Sequence, residues 1–475
     1  MTTSDFRKYA HQFADWMADY FENVERYPVV SQVKPGEIKS ALPKAPPQKG
    51  ESMDAIFNDF NRIILPGMTH WQSPNFFGYF PANNSMPSVL AEMLTATMGA
   101  QCMVWLSSPA AAELEEATME WLKEMLGLPA SFAGVIQDTA STSTLCAILT
   151  AREKKSGYEI NSKGFSGKER FRVYCSEHAH SSIDKAVKIA GLGLENLVKI
   201  GVDADFAIRP DELEERIKSD IVEGKTPLCV VAALGTTSST AIDPVRKIGQ
   251  ICDKYNVWLH VDGAYAGTAL ALPEMRWIAD GLELADSFVF NPHKWMFTNF
   301  DCSAYFVKDP QSLIQTFTIS PEYLKTSADD QVNNYRDWGI QLGRRFRALK
   351  LWFVIRSYGL EGIREKLRLH IGLAHKIKEW VLSDPRFELL APVLLGTVCF
   401  RMTLPGLDEE RINRLNEEFL NRVNNTGKAF LTHTKLNGKY TIRMSIGQTE
   451  TREEHVVKAW ELIVDEAQKI IYTIS

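Results

Sequence analysis

The chain has 475 residues, 45% apolar and 24% charged, with a net charge of −6. That is an ordinary composition for a soluble globular protein of about two or three units sharing a large core. The acidic balance and the lack of a basic block argue against nucleic acid as a partner, and no apolar run approaches the ~18–20 residues that span a bilayer, so no membrane partner is expected.

Phe6, Tyr9, Ala10, Phe13, Trp16, Met17, Tyr20 and Phe21 recur at helical spacing after a cap at Ser4 or Asp5. So apolar a stripe must be covered, by its own chain or by another. The proline-rich stretch 43–50 (PKAPPQKG) cannot fold back as helix. Residues 71–81 (WQSPNFFGYFP) form an aromatic cluster broken by Gly and Pro. This is a loop, either a core corner or a surface for a flat apolar ring. Residues 113–128 read as an amphipathic helix. Residues 134–137 then lead into Asp138-Thr139-Ala140-Ser141-Thr142 and an apolar helix from about Ser143. Small hydroxyl residues at that point are either a plain cap or a phosphate seat on N–H groups at the positive end of the helix.

Residues 156–170 are a polar surface connection, and 172–175 a short strand. His178 and His180 follow at i, i+2; no third ligand stands at suitable spacing, so no metal is expected. A buried strand at 228–234 ends in Gly235-Thr236-Thr237. Val257, Leu259 and Val261 alternate on one face of the next strand, which ends in Asp262, a turn former or a functional carboxylate. After the apolar run Phe288-Val289-Phe290 comes Asn291-Pro292-His293-Lys294-Trp295. A lysine there is either a solvated strand end or, once desolvated, a nucleophile. The His293 imidazole and the Asn291 amide are placed to hold an anionic group.

Strand–helix alternation from about 134 to 308 predicts an α/β protein with a mainly parallel sheet. Asp262 and Lys294 would then share the sheet edge where such folds bind ligands. A carboxylate and an amine at neighbouring strand ends suit pyridoxal phosphate, which needs an amine to carry it and an acid to keep its ring nitrogen protonated. Residues 320–343 are long and polar, a mobile lid carrying Tyr323. Gly343 opens a helix running through Tyr358. Residues 361–475 alternate helix and strand (397–402, 440–445), the last helix opening on a Thr451-x-x-Glu454 capping box. Seven scattered cysteines without CxxC pairs, and an N-terminus (MTTSDFRKYA) with no apolar signal core, point to the cytoplasm. HExxH, GxSxG, GxGxxG and P-loop patterns are absent, which removes the main support for metalloprotease, serine hydrolase, dinucleotide and NTPase readings.

In chain order, SEHAHSS, LGTT, HVDGAYAG, NPHKW, NFDCSA and PEYLK resemble the group II pyridoxal-phosphate-dependent decarboxylases, closest to the aromatic-L-amino-acid decarboxylases, and the resemblance covers nearly the whole chain. It implies an aspartate-aminotransferase-like fold (fold type I): a helical N-terminal arm for dimerisation over 1–85, a large coenzyme domain over 86–360 and a small α+β C-terminal domain over 361–475. It further implies a cytoplasmic homodimer with shared active sites. By this resemblance Lys294 carries pyridoxal 5'-phosphate, Asp262 holds the ring nitrogen, Ala264 packs on the ring, and His180 lies over its face near the substrate carboxylate. Thr237 meets the ring or its substituent, Asn291 and His293 join the coenzyme contacts, and Thr139, Ala140 and Ser141 take the phosphate. Asp138-Thr139 departs from the glycine-serine common there. Tyr323 protonates the substrate carbon. Trp71, Tyr79, Phe80, Pro81, Ala82, Met103 and Gly343 surround the substrate ring.

The implied reaction is decarboxylation of aromatic L-amino acids (tryptophan-, phenylalanine- or tyrosine-like) to the arylalkylamine and CO2. Gly343, where a serine accompanies phenolic or imidazole substrates, leaves room for an indole; Ala82 replaces a threonine of catechol-handling members, and Gln72 a histidine. Tryptophan- and phenylalanine-like substrates are therefore expected over dihydroxyphenylalanine. The alternative is an oxygen-dependent aromatic acetaldehyde synthase on the same fold. Such synthases replace the counterpart of His180 or Tyr323, and this chain keeps both. A non-catalytic protein retaining the fold is the third class.

Overall fold

The computed structural model describes residues 1–319 and 331–474. By contact density they divide into two compact units, 82–375 with 389–399, and 1–81 with 376–388 and 400–475.

The larger unit is built on strands β1 (Ala133–Gln137), β2 (Phe171–Ser176), β3 (Leu197–Ile200), β4 (Thr226–Ala233), β5 (Trp258–Asp262), β6 (Ser287–Phe290) and β7 (Ser303–Val307), in the order β1-β7-β6-β5-β4-β2-β3. β7 alone runs antiparallel, to both of its neighbours; β2 to β6 pair in parallel. The mainly parallel sheet expected from the sequence is therefore present. Apart from the edge strand β3, its strands are buried on both faces, as parallel sheets generally are. This corrects the one-faced alternation read at 257–261: Trp258 and His260 are buried as well. His260 is satisfied by Ser287 Oγ at 2.9 Å and Thr144 Oγ1 at 3.3 Å.

The helix Ala140–Lys155 packs against β4 to β7. It begins three residues before the expected Ser143. Thr139 is its cap, its hydroxyl accepting from Thr142 N, and such a cap makes weak helix formers tolerable in the first turn. The helix expected from Gly343 begins instead at Arg347 and breaks at Gly359, where φ is +64°.

In the smaller unit, the helix Thr3–Asn23 is closed by a capping box of Thr2 and Asp5, not by a cap at Ser4 or Asp5. Its stripe is covered in part by its own chain. Phe13 meets Phe57 at 4.8 Å, Trp16 meets Phe60 at 5.3 Å, and Tyr20 Oη lies 2.8 Å from His70 Nδ1. Yet no residue of this helix is buried. A four-stranded sheet comprises β8 (Phe387–Leu389), β9 (Thr397–Met402), β10 (Thr432–Leu436) and β11 (Lys439–Ser445), in the order β10-β11-β9-β8. The sequence hid β8, only three residues long, and β10, whose THTKL pattern is polar. The last helix begins at Glu453 without the expected capping box: the Thr451 hydroxyl donates to the Pro74 carbonyl at 2.8 Å. Among the described residues no helix is long and apolar enough to cross a membrane.

Candidate active site

Five parallel strands end at one edge of the large sheet, and each delivers a candidate residue just beyond its end. These are Thr139 after β1, His180 after β2, Thr237 after β4, Asp262 closing β5, and Lys294 after β6.

Every residue of β6 is buried. The chain turns at Asn291 into a single helical turn, Pro292–Trp295. Proline opens that turn without sacrificing a needed N–H. Trp295, fully buried, stacks on Tyr265 at 4.6 Å and donates Nε1 to His370 Nδ1 at 3.0 Å, anchoring the turn. Burial lowers the pKa of Lys294, while the charge of Asp262 acts in the opposite direction. β5 and β6 pair with Asp262 beside Val289. Asp262 Oδ1 accepts from Ala264 N at 3.0 Å; its other oxygen has no donor among the described residues.

His180 Nδ1 accepts from Ser182 N at 3.1 Å and lies 2.8 Å from Ser182 Oγ. The proton of the neutral ring therefore sits on Nε2. Burial holds this imidazole below its ordinary pKa, with Asp262 pulling it up and Lys294 pushing it down; the three groups lie within electrostatic reach of one another. His293 is likewise fixed, its Nδ1 accepting from Cys302 N at 2.9 Å. Burial, reinforced by the charge of Lys294, pushes its pKa down to about 3, so this ring is neutral with its proton on Nε2. Asn291 Oδ1 is buried and has no donor among the described residues.

At the start of the helix Ala140–Lys155, the N–H groups of Ala140 and Ser141 have no acceptor among the described residues. Asp138 takes the N–H of Thr139 at 2.6 Å on Oδ1, and Gln341 Nε2 at 3.0 Å on Oδ2. The predicted departure at Asp138 is thus a strut between the helix start and residue 341. A planar, phosphorylated pyridine fits this donor set. Two N–H groups at a helix start suit the phosphate, one open carboxylate oxygen suits the ring nitrogen, and a desolvated amine and a neutral imidazole complete the surroundings.

Among the residues expected around a substrate, Cys102 N donates to Arg344 O and Arg336 N to Met103 O, both at 3.0 Å. These pairs bring Met103 and Gly343 together in the larger unit, which also holds Ala82. Trp71, Tyr79, Phe80 and Pro81 lie in the smaller unit. There Trp71 stacks on Phe76 at 4.4 Å and Tyr79 at 5.6 Å, and the Arg443 guanidinium lies 5.3 Å from the Phe80 ring. Tyr79 is half exposed, with φ +52°.

The lid expected over 320–343 does not extend through 331–343. Tyr335, Arg336 and Trp338 are buried, Trp338 joins Val135, Val289 and Tyr305 in the core, and Gln137 Nε2 donates to its carbonyl at 2.9 Å. Residues 320–330, Tyr323 among them, lie outside the described residues. Sequence reasoning missed the anchor of this segment. Arg344 reaches Glu115 through both terminal nitrogens (3.0 and 2.6 Å) and Ile136 O at 2.8 Å, while Glu115 Oε1 accepts from Ile136 N at 2.8 Å. The sequence pattern carries no sign that Glu115 is buried; its pairing with a distant arginine accounts for it.

Comparison with known proteins gives the family of the whole chain. Residues 35–403 match the family described as "Pyridoxal-dependent decarboxylase conserved domain". A tryptophan decarboxylase 2 of Oryza sativa subsp. japonica is 42% identical over 481 residues, covering 99% of this chain and 96% of its own. A phenylacetaldehyde synthase of Arabidopsis thaliana is 42% identical over 482 residues, covering 99% and 98%. The crystal structure of an Oryza sativa TDC with PLP and tryptamine superposes with a TM-score of 0.95 at 36% identity, over 99% of both chains. By the family match over residues 35–403 and the 42% identity across nearly the whole chain, this chain belongs to the pyridoxal-dependent decarboxylases, whose coenzyme is pyridoxal 5'-phosphate.

Proposed function

We propose that the protein decarboxylates aromatic L-amino acids, tryptophan-, phenylalanine- or tyrosine-like, releasing CO2 and the arylalkylamine. The observation that carries this reading is the placement of Lys294 and Asp262 at the ends of the paired strands β6 and β5. When bound, the coenzyme supplies an electron sink for the pair left on the substrate carbon. Lys294 holds the coenzyme through Nζ; its lowered pKa keeps more of the amine unprotonated and nucleophilic. Asp262 holds the proton on the ring nitrogen. His180, with its proton on Nε2, orients the substrate carboxylate. His293, Asn291, Ala140 and Ser141 seat the phosphate end, and Ala264 and Thr237 border the ring. Tyr323 is the acid that returns a proton to the substrate carbon. Ala82, Met103 and Gly343, all in the larger unit, border the substrate ring.

The reading extends to a cytoplasmic homodimer. Met86, Leu90, Leu94 and Met98 fall on one face of the helix Met86–Met98 and are 56%, 56%, 49% and 58% exposed. A contiguous apolar stripe of this kind marks an interface, and a second copy of the chain is its proposed cover. All seven cysteines are free and buried, which suits a reducing compartment.

The test is an assay of the full chain with coenzyme on tryptophan, phenylalanine, tyrosine and dihydroxyphenylalanine. Amine release in step with CO2, without peroxide, is expected, with the first two substrates preferred. Peroxide and ammonia in step with CO2 would establish the aldehyde synthase instead, the activity named for one relative; a strong catechol preference would defeat the predicted specificity. Lys294→Ala should lose the visible coenzyme band and slow turnover on the order of a thousandfold or more.

A further inference from the structure

We infer that Asn83 is a positioning residue that sets the aim of Lys294. The inference rests on the decarboxylase reading above. A single helical turn such as Pro292–Trp295 does not hold itself, because nucleation costs more than one hydrogen bond returns. Its last carbonyls have no partner within the turn. Asn83, only 1% exposed, supplies both missing donors: its backbone N–H goes to His293 O at 2.9 Å, and its side-chain Nδ2 to Lys294 O.

A second fastener lies five residues on. Ser88 Oγ accepts from Asn299 N at 2.9 Å and bonds Asn299 Oδ1. Segment 83–88 is thereby stapled to the loop that carries Lys294. One end of the staple follows Ala82, at the substrate ring, and the other stands on the helix Met86–Met98, whose apolar stripe awaits a second copy. Gripping the Lys294 carbonyl fixes the peptide plane at the α-carbon from which the amine departs. Loss of the Nδ2 donor frees that plane to rotate and re-aims the side chain, while the backbone bond to His293 keeps the turn in place.

The experiment compares Asn83→Ala and Asn83→Asp with the wild-type holoenzyme. Aspartate keeps the shape but presents an oxygen where the donor stood. In both variants the coenzyme is expected to bind and the far-ultraviolet spectrum to stay native. kcat per bound coenzyme should fall about ten-fold and KM change less than about two-fold. The pH midpoint at which the visible coenzyme band converts should move, because that midpoint reports the surroundings of Lys294 Nζ. Asn83→Asp should fall below Asn83→Ala at neutral pH and gain on it in acid, where a neutral carboxyl again donates. A wild-type kcat and an unmoved midpoint in Asn83→Ala would overturn the inference, even if melting fell, since the amide would then be structural only. Should Asn83→Ala not fold, Asn83→Asp decides by the same two readings; failure of both to fold overturns it too. A wild-type protein without the coenzyme band would remove the decarboxylase reading and the positioning role together, whereas a normal wild type with an unaltered Asn83→Ala removes the positioning role alone.

Discussion

Two helices of the larger unit have opposite patterning. In Ala140–Lys155, Leu145, Cys146, Ala147 and Ile148 are buried in succession, the mark of a helix packed all round. In Met86–Met98 the buried residues are the small Ser88, Ala91 and Thr95, while the large Met86, Leu90, Met93, Leu94 and Met98 face out. The first helix packs against β4 to β7 of the large sheet. The second turns its large apolar side chains away from its own fold.

The largest effect is expected at the buried ion pair that ties residue 344 to β1. Arg344→Met leaves Glu115 buried without its countercharge; the side chains of the pair are 6% and 3% exposed. Breaking such a pair costs about 3–5 kcal/mol, to be read from urea unfolding of the variant against wild type. A loss below about 1 kcal/mol would show that this segment is held by other contacts. Acid should act next. The imidazole of His293 has a folded pKa of about 3 against an ordinary 6.5. Between these values the unfolded chain binds the proton and the native chain does not. Stability is therefore full above 6.5 and falls as pH drops toward 3, by up to about 1.4 kcal/mol per pH unit. Urea unfolding of the apo chain at successive pH values would show this slope, and His293→Asn should flatten it. The smallest effect on the chain's own stability belongs to the open face: Leu90→Asp with Leu94→Asp should change it by no more than about 0.5 kcal/mol per site. Light scattering should nonetheless show the assembled mass halved. A wild-type monomer at the same concentration would mean that this stripe has some other cover.

What could be read beforehand follows the same division. Asp262, Lys294 and the parallel sheet were legible because β4, β5 and β6 are short apolar runs, each stopped by a polar residue or a glycine. Lys294 and Asp262 declare their chemistry by residue type, and the remaining site residues entered through motif resemblance. The start of the helix at Ala140 was misplaced because its hydroxyl residues look like a cap rather than a first turn. Residues 331–343 misled further, since their polarity suggested a loose lid. Trp338 and the Arg344–Glu115 pair instead tie them to β1 and the core, through partners far away in sequence. Asn83 gave no signal at all: an asparagine after proline and alanine reads as a turn, and only the carbonyls it meets reveal its use.

The antiparallel placement of β7 sets the candidate residues apart in one more respect. His180, Thr237 and Asp262 stand on crossovers that must return to the opposite edge of the sheet before the next, parallel strand can start, and such routes can take in extra residues over the surface. Lys294 stands between β6 and the antiparallel β7, which starts from the same edge, and His293 N closes that bridge onto Cys302 O at 3.2 Å. One inserted or deleted residue there would slip a register pinned from both sides. Natural variation in length should therefore collect in the crossovers and leave the bridge between β6 and β7 with a fixed residue count.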